Sequence, residues 1–222
     1  GGSELKEEGG KSSGLDLQYA TQWSYSPKEI PNLFIPNYNG GASSGELSRN
    51  SETYKFLKNN NYQGAEEVVK QLPLYWGPQP FTAGPMYMGA VSIFLFILGL
   101  FIFKGSVKWW LAGISLLAIL LSWGSHLMSV TEFFFRFAPL YNKFRTVSMI
   151  LVILQVAIPL LAFLTLDKLA KEEIARSKAK KDLLITLAIT AGFSLIMWIM
   201  PSLAGEFRSP SDSRLPEQLL GA

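Results

Sequence analysis

Cysteine is absent from this 222-residue chain, and histidine occurs once, at His126. A chain without cysteine forms no disulfide and carries out no thiol chemistry. A single histidine with no second metal-ligating side chain near it in the sequence does not predict a metal site. The formal net charge of +3 is small and localised, which argues against a nucleic-acid-binding protein. The sequence also has no glycine-rich phosphate loop and no serine–histidine pattern.

Charge is missing from four long apolar runs, none of which contains Asp, Glu, Lys or Arg. The runs cover residues 86–103, 109–123, 146–166 and 183–200. Helices of these lengths match a hydrocarbon layer about 30 Å thick, the second run only with help from its flanks. A soluble helix this long would have a polar face. We therefore predict an all-α, polytopic membrane protein in which residues 86–200 form four transmembrane helices.

Basic residues predict which side of the membrane each loop occupies. Six lie between the third and fourth runs: Lys168, Lys171, Arg176, Lys178, Lys180 and Lys181. The link 104–108 between the first two runs carries two more lysines. Lysine and arginine accumulate in cytoplasmic loops. Alternation of the spans then places residues 1–85 and the tail 201–222 on the extracytoplasmic side.

The first 85 residues show little regular hydrophobic period. Residues 9–14 are rich in Gly and Ser, which predicts a mobile connector. Aromatic residues interleaved with prolines at 19–41 favour an ordered, irregular loop, and residues 61–72 can hold one short helix. The chain opens without Met, a basic start or an apolar signal core. We therefore expect an internal or C-terminal-half fragment of a longer protein, with a truncated tail.

A cluster of phenylalanines lies between the second and third apolar runs, around Glu132 and Arg136. These two charges are four positions apart and can pair on a helix. The pattern predicts an amphipathic helix on the membrane surface, ended by Pro139.

Three motifs carry a resemblance to a known family. They are residues 19–29 (YATQWSYSPKE), 75–85 (YWGPQPFTAGP) and 139–149 (PLYNKFRTVSM), and 207–212 (FRSPSD) fits more loosely. Together they resemble the YfhO family of bacterial membrane proteins, in its Bacteroidota-type form, across nearly the whole chain. Members of that family are longer, with more spans on both sides.

The resemblance implies a protein of the cytoplasmic (inner) membrane of a bacterium, similar to the GT-C class of glycosyltransferases. Such enzymes transfer a sugar from a polyprenyl-phosphate carrier on the outer face of the membrane. The implied partners are the bilayer, the lipid-linked sugar and an envelope glycan or polymer as acceptor. No other cofactor is implied. The catalytic carboxylate of the class lies in a first outside loop that this chain lacks, so no catalytic residue is assigned, and Asp16, Glu29 and Glu132 do not fill that role.

Candidate residues for the lipid phosphate lie at the mouth of the third run: Tyr141, Asn142, Lys143 and Arg145. Lysine and arginine bind phosphate through charge-assisted hydrogen bonds, arginine in bidentate fashion. The alternative is that Lys143 and Arg145 anchor the helix end by extending their side chains to the interface.

Candidate sugar contacts are the aromatic residues Trp23, Tyr25, Tyr75 and Trp76, whose rings can stack on sugars, and Glu29 as a polar contact. The alternatives are that the aromatic rings pack the segment onto the membrane and that Glu29 is solvated. A different function remains open as well: a non-catalytic transporter or flippase-like protein, or an envelope assembly scaffold.

Overall fold

A computed structural model describes residues 5–8, 11–171 and 174–204 of this chain, which are mostly helical. Two short antiparallel strands, β1 (Leu5–Glu8) and β2 (Lys11–Leu15), come first. The α-helices are α1 (Leu17–Ala20), α2 (Glu52–Asn59), α3 (Ala65–Val68), α4 (Ala90–Ile102), α5 (Val107–Ser122), α6 (Met128–Phe137), α7 (Val152–Ala170) and α8 (Arg176–Ile199). Short 3₁₀ helices occupy Pro27–Leu33, Gly124–Leu127, Tyr141–Lys143, Val147–Leu151 and Pro201–Ala204.

The hairpin departs from the predicted all-α architecture. The mobile connector predicted for 9–14 is wrong for residues 11–14, which belong to β2. This stretch is polar and Gly/Ser-rich, with no alternation of apolar residues, so it carried no strand signal.

Two helical units are long and apolar enough to cross a membrane: Val147–Ala170, a 3₁₀ turn continued by α7, and α8. A third candidate joins α5 to the segment Gly124–Phe137, but a bend of 104° separates its halves. Helix α4 has 13 residues, or about 20 Å at 1.5 Å per residue. The described residues therefore contain two or three helices that can span a membrane by length and composition, where the sequence predicted four.

The first apolar run is shortened because its first four residues are not helical. Gly89 has a φ of +91°, in the left-handed region that favours glycine. Just before it, the backbone N–H of Met88 donates to the carbonyl of Leu33 at 3.0 Å. This contact with the N-terminal part of the chain replaces a first helical turn, and α4 begins only at Ala90.

The loop between α7 and α8 is also shorter than the predicted loop 167–182. Helix α7 continues to Ala170 and α8 begins at Arg176, so most of the basic residues lie on helix ends. Ion pairs four positions apart support both ends: Lys171 with Asp167 at 2.8 Å and Lys178 with Asp182 at 3.5 Å. Such pairs stabilise a helix by a few tenths of a kcal/mol each.

The helix core lies along α7. A side chain at Gly99 of α4 would come within 2.8 Å of Leu161 and 2.5 Å of Thr165, so only glycine allows α4 and α7 to approach this closely. One cluster of buried residues in this core contains Tyr25, Leu33, Ala118, Leu151, Leu154 and Ile158. Two of these, Tyr25 and Leu33, come from the N-terminal part of the chain, which is therefore packed into the helix bundle.

We call residues 16–41 the cap segment, because it covers one end of the bundle. Its backbone contacts the end of α5 (Tyr25 N–H to the carbonyl of Ser122, 2.8 Å) and the start of the third run (Ser148 N–H to the carbonyl of Trp23, 3.3 Å). The Phe34 ring meets the Phe193 ring of α8 edge-on at 6.0 Å. The opposite end, where α4 and α7 finish and α5 and α8 begin, carries the lysines. There Lys168 lies 4.4 Å from the centre of the Phe103 ring, and Lys108 donates to the carbonyl of Leu100 at 2.6 Å.

A second, smaller apolar cluster lies outside the bundle. It contains Tyr54, Leu57, Ala65, Val69 and Leu72, from α2, α3 and the chain that follows. A bridge between Gly45 and Leu72 ties it to the preceding loop. The short helix expected within residues 61–72 is confirmed as α3, while α2 was not expected. Of the tail predicted at 201–222, only Pro201–Ala204 lies within the described residues.

Candidate functional site at the cap end

Arg145 forms the centre of an exposed cluster at the cap end. Its Nη1 donates to the hydroxyl of Tyr19 at 2.6 Å. The guanidinium carbon lies 5.4 Å from the centre of the Tyr19 ring and 5.1 Å from that of Trp23, within the range of cation–π attraction. We call Tyr19, Trp23 and Arg145 the arginine stack. A guanidinium has five N–H donors, so the donors that Tyr19 does not engage can meet an oxyanion.

The backbone fixes the arginine stack in place. On one side of Arg145, the N–H of Thr146 donates to the carbonyl of Ala20 at 3.2 Å. Trp23 is held from a third segment, because its Nε1 donates to the carbonyl of Phe81 at 3.1 Å. The three motifs at 19–29, 75–85 and 139–149 therefore meet at this one place, although they are far apart in the sequence.

A polar cavity adjoins the arginine stack and shares Tyr19 with it. Its volume is about 460 Å³, and it is lined by Asp16, Gln18, Tyr19, Thr21, Gln22 and Ser125. Asp16 caps α1, since its Oδ1 accepts from the N–H groups of Gln18 (3.0 Å) and Tyr19 (3.1 Å). This cap fixes the turn that presents the Tyr19 ring to Arg145. A guanidinium beside a cavity lined by amides, hydroxyls and the Asp16 carboxylate can hold an anionic group next to a polar one.

The other three phosphate candidates are arranged differently from Arg145. Tyr141 packs against Phe134 and Phe135 of α6, with ring centres 6.0 and 6.4 Å apart. Asn142 lies against β2, where a side chain at Gly14 would come within 2.8 Å of it. Lys143 is exposed in the 3₁₀ turn Tyr141–Lys143. The structure therefore gives Tyr141 and Asn142 packing roles in holding this turn, and leaves Lys143 and Arg145 on the surface.

Three of the sugar-contact candidates are buried together. Tyr25, Glu29 and Tyr75 are 2%, 0% and 2% exposed. Glu29 Oε1 accepts from the Tyr75 hydroxyl (2.5 Å) and from Gln79 Nε2 (3.2 Å). These residues have no face open to a sugar in this structure, and the alternative of a solvated Glu29 is wrong.

Glu29 has a structural role at the start of the 3₁₀ helix Pro27–Leu33. Its Oε2 accepts from the backbone N–H of Ser26 at 2.7 Å, and the Ser26 hydroxyl accepts from the backbone N–H of Lys28. Ser26 and Glu29 thus form a capping box. Burial raises the pKa of Glu29, while its hydrogen bonds from Tyr75, Ser26 and Gln79 and the charge of His126 act in the opposite direction. Burial, with the nearby Glu29 charge, also raises the pKa of Tyr75 far above its ordinary value.

Trp23 and Trp76 are only half-buried. Trp23 stacks on Arg145, as described above. Trp76 covers Gly40, whose φ is +83° and where a side chain would come within 2.7 Å of the Trp76 ring. The backbone N–H of Trp76 donates to the carbonyl of Asn39 at 3.2 Å. Of the five sugar-contact candidates, Trp23 is the one that belongs to the arginine stack.

Within residues 5–8, 11–171 and 174–204, no three His, Cys, Asp or Glu side chains are grouped so that they could hold a metal ion. Two features of the site were not among the sequence-predicted site residues: Tyr19, and the cavity with Gln22 and Ser125. Tyr19 and Gln22 belong to the motif 19–29, so the motif contained the signal. Ser125 had no sequence signal, because it reaches the cavity only through the bend after α5.

No family model matches this chain, and no curated protein and no solved structure matches it either.

Proposed function

We propose that this chain is part of an integral membrane GT-C-like glycosyltransferase of the YfhO type. It transfers a sugar from a polyprenyl-phosphate carrier to an envelope glycan or polymer on the outer face of a bacterial inner membrane. The arginine stack receives the carrier phosphate, with Lys143 as a second cation nearby in the chain. The adjoining polar cavity receives the sugar. The resemblance of the three motifs and their convergence at one place support this proposal.

The proposal includes four membrane crossings, with the cap end outside. The chain enters or leaves the bundle at the cap end four times, near Met88, Trp123, Thr146 and Met200. The lysine-bearing links lie at the other end, which the positive-inside rule assigns to the cytoplasm. Helices α4 and α5 are short for a full crossing, and the apolar residues flanking them complete the span. Helix α6 lies in the outer interface with Phe133 and Phe137 exposed, and its Glu132–Arg136 pair is 3.8 Å apart, as the sequence predicted.

The arginine stack is the observation on which the proposed function depends, and substitution of Arg145 tests it. A hydrogen bond to a charged group contributes about 1.5–3 kcal/mol. Arg145→Ala is therefore expected to lower transfer from a radiolabelled polyprenyl-phosphate sugar by about 10- to 150-fold. Arg145→Lys retains the charge without the planar fork of the guanidinium. Its transfer rate is expected to lie between those of wild type and Arg145→Ala. The assay uses membranes that contain the intact protein.

The matched control is Arg49→Ala. Arg49 is an exposed arginine that contacts Glu66 at 3.6 Å in the smaller cluster outside the bundle. It should leave transfer unchanged. Equal transfer in wild type, Arg145→Ala and Arg49→Ala would exclude a phosphate-binding role for the arginine stack.

One observation favours the alternative of a transporter. Four polar residues form a stripe along α8 at intervals of four: Asp182, Thr186, Thr190 and Ser194. Asp182, at the lysine-bearing end of this stripe, is 7% exposed, and a buried carboxylate at the end of a span can belong to an ion or proton path. The Lys178 partner at 3.5 Å and the position near the lysine end fit a structural ion pair equally well. Asp182→Asn distinguishes a transport role from a structural ion pair. Loss of substrate flux with retained sugar transfer would support transport.

A further inference from the structure

A cavity of about 340 Å³ lies inside the bundle, beneath the cap segment, and has the size of a ligand-binding pocket. Two of its described lining residues carry a hydroxyl, Ser115 of α5 and Thr190 of α8, and the others are apolar. On the side of α7 the wall is closed, because Leu154 and Ile158 are buried there. On the side of α8 it is open, since Ile189 lines the cavity and is 46% exposed. A molecule dissolved in the bilayer can therefore reach the cavity past α8.

The hydroxyl of Ser115 is the feature of this wall that packing leaves unexplained. Ser115 is 6% exposed, and its Oγ has no hydrogen-bond partner among the residues that the structure describes. By contrast, the buried Ser122 of the same helix donates through its Oγ to the carbonyl of Ile119 at 2.7 Å. Buried polar groups in proteins are nearly always paired, and an exception calls for a specific explanation. The Ser115 hydroxyl therefore points to a partner inside the cavity.

The two hydroxyls of the wall indicate which polar group fits beside them. Ser115 offers one O–H donor and two acceptor lone pairs. The Thr190 hydroxyl donates within α8, to the carbonyl of Thr186 at 3.0 Å, so toward the cavity it can only accept. A hydroxyl group both donates and accepts, and it can pair with Ser115 in either direction. A carbonyl or ether oxygen can use only the Ser115 donor.

The position of Ser115 excludes a charged or a hydroxyl-rich ligand. It lies at the middle of α5 (Val107–Ser122), about 11 Å from either end. The part of the chain that the structure describes contributes no charged residue to the wall, and an unpaired charge at this depth is costly. A sugar fits no better, because the apolar lining gives its further hydroxyls no partners. The fitting ligand is thus an apolar body with one uncharged polar group.

We propose that this cavity binds a membrane-soluble alcohol, whose single hydroxyl pairs with Ser115 and whose apolar body fills the remaining space. Leu33 and Phe34 of the cap segment line the cavity, so the bound alcohol contacts the segment that carries Tyr19 and Trp23. The site is separate from the arginine stack and does not depend on sugar transfer.

The test compares three molecules with one bicyclic carbon skeleton: borneol carries a hydroxyl, camphor a carbonyl, and bornane no oxygen. The intact protein in phosphatidylcholine vesicles is photolabelled with a diazirine-bearing octanol, and peptide mass spectrometry measures the label on Ile97 and Ile158. Competitors are compared at equal mole fractions in the bilayer, so their partitioning from water does not enter. We expect borneol to displace the label at a mole fraction about two- to tenfold lower than bornane, the effect of one neutral hydrogen bond. Camphor should lie between them.

Ser115→Ala removes the hydroxyl with little change in volume, so borneol and bornane should then displace the label at the same mole fraction. Ser122→Ala is the matched control on the same helix. The Ser122 hydroxyl has its own partner and does not line the cavity, so this variant should keep the preference for borneol.

The comparison of competitors in wild type needs no variant, so it tests the proposal even if Ser115→Ala does not fold. Cavity residues that are not labelled, or label that borneol does not displace, would overturn the proposal. Equal displacement by borneol and bornane would show that no ligand hydroxyl pairs with Ser115, and stronger displacement by camphor would show a carbonyl ligand. Either result, or an unchanged preference for borneol in Ser115→Ala, would also overturn it.

Discussion

Glu29 illustrates how a residue's role depends on its partners rather than on its type. In the sequence it is one carboxylate in a motif with aromatic neighbours, and a ligand contact is a reasonable hypothesis. In the structure both of its oxygens are engaged, by Ser26 on one side and by Tyr75 and Gln79 on the other. It joins two segments that are 46 residues apart in the chain. A buried carboxylate with these partners stabilises the cap segment on which the arginine stack is built.

The raised pKa of Glu29 gives a stability change with a definite sign. The pKa of Glu29 in the folded protein lies above the ordinary value of 4.5. At pH values between these two pKa values, the folded protein therefore binds more protons than the unfolded chain. This contribution is full below pH 4.5 and is lost as the pH rises through the folded pKa. Hydrogen exchange of the non-proline amides within residues 26–29 and 75–79, followed over pH 4–8, should therefore show less protection as the pH rises.

Glu29→Gln should remove this pH-dependent contribution, and the difference between the two proteins isolates it from other carboxyl groups. The amide has one oxygen instead of two, so Ser26 or Tyr75 loses an acceptor, at a cost of about 1–3 kcal/mol. Parallel pH profiles for wild type and Glu29→Gln would contradict a raised pKa at Glu29.

At the scale of elements, the bend after α5 brings the site together. Gly124 has a φ of +43°, and a side chain there would collide with Ser24 and Val147. The N–H of Ser125 donates to the Ser24 hydroxyl at 2.8 Å, and the Thr131 hydroxyl of α6 donates to the carbonyl of Gly124 at 2.8 Å. The bend thus turns the chain into α6 and delivers Ser125 to the polar cavity.

Gly124→Ala is expected to destabilise the protein. The left-handed backbone alone costs an L-residue about 1–2 kcal/mol, and the collision with Ser24 adds to this. Gly113→Ala, inside α5, is the control, because a side chain there meets nothing within 4 Å and alanine favours a helix. Thermal unfolding in detergent should give a lower Tm than wild type for Gly124→Ala but not for Gly113→Ala. Equal Tm values for the two variants would show that the bend tolerates a side chain.

At the scale of the whole molecule, the two ends of the bundle differ in what they carry. The cap end holds the cap segment, the arginine stack and α6, while the opposite end holds Lys104, Lys108, Lys168 and Lys171. The four proposed crossings require the loops to lie at alternate ends of the bundle, because each crossing takes the chain from one end to the other. The lysine-bearing loops and the cap segment therefore lie on opposite sides of the membrane in this proposal.

The lack of cysteine in these 222 residues makes the topology directly testable, since a cysteine introduced here is the only one in this part of the protein. Ser44→Cys, on the cap side, should react with a membrane-impermeant maleimide in intact spheroplasts. Ser177→Cys, near the start of α8, should react only after the membrane is opened. Both serines are exposed, so accessibility within the fold does not limit the reaction. Labelling of Ser177→Cys alone in sealed cells would show that the orientation is the reverse of the one proposed. Labelling of both cysteines in sealed cells would show that the chain crosses the membrane fewer than four times.

The sequence by itself determined the features that depend on residues a few positions apart. These are the uncharged apolar runs, the α6 helix with its Glu132–Arg136 pair, and its end before Pro139. The Ser26-to-Glu29 spacing is a local pattern of the same kind, since it matches the capping box seen in the structure.

Only the tertiary structure decided the rest. Arg145 meets Tyr19 across 126 residues, and Glu29 meets Tyr75 across 46. Likewise, the contact of Met88 with Leu33 ends α4 early, and Ser24 and Val147 fix the bend at Gly124. The physical reason is that local patterns reflect helix geometry and transfer into lipid, whereas these contacts depend on which segments pack against each other.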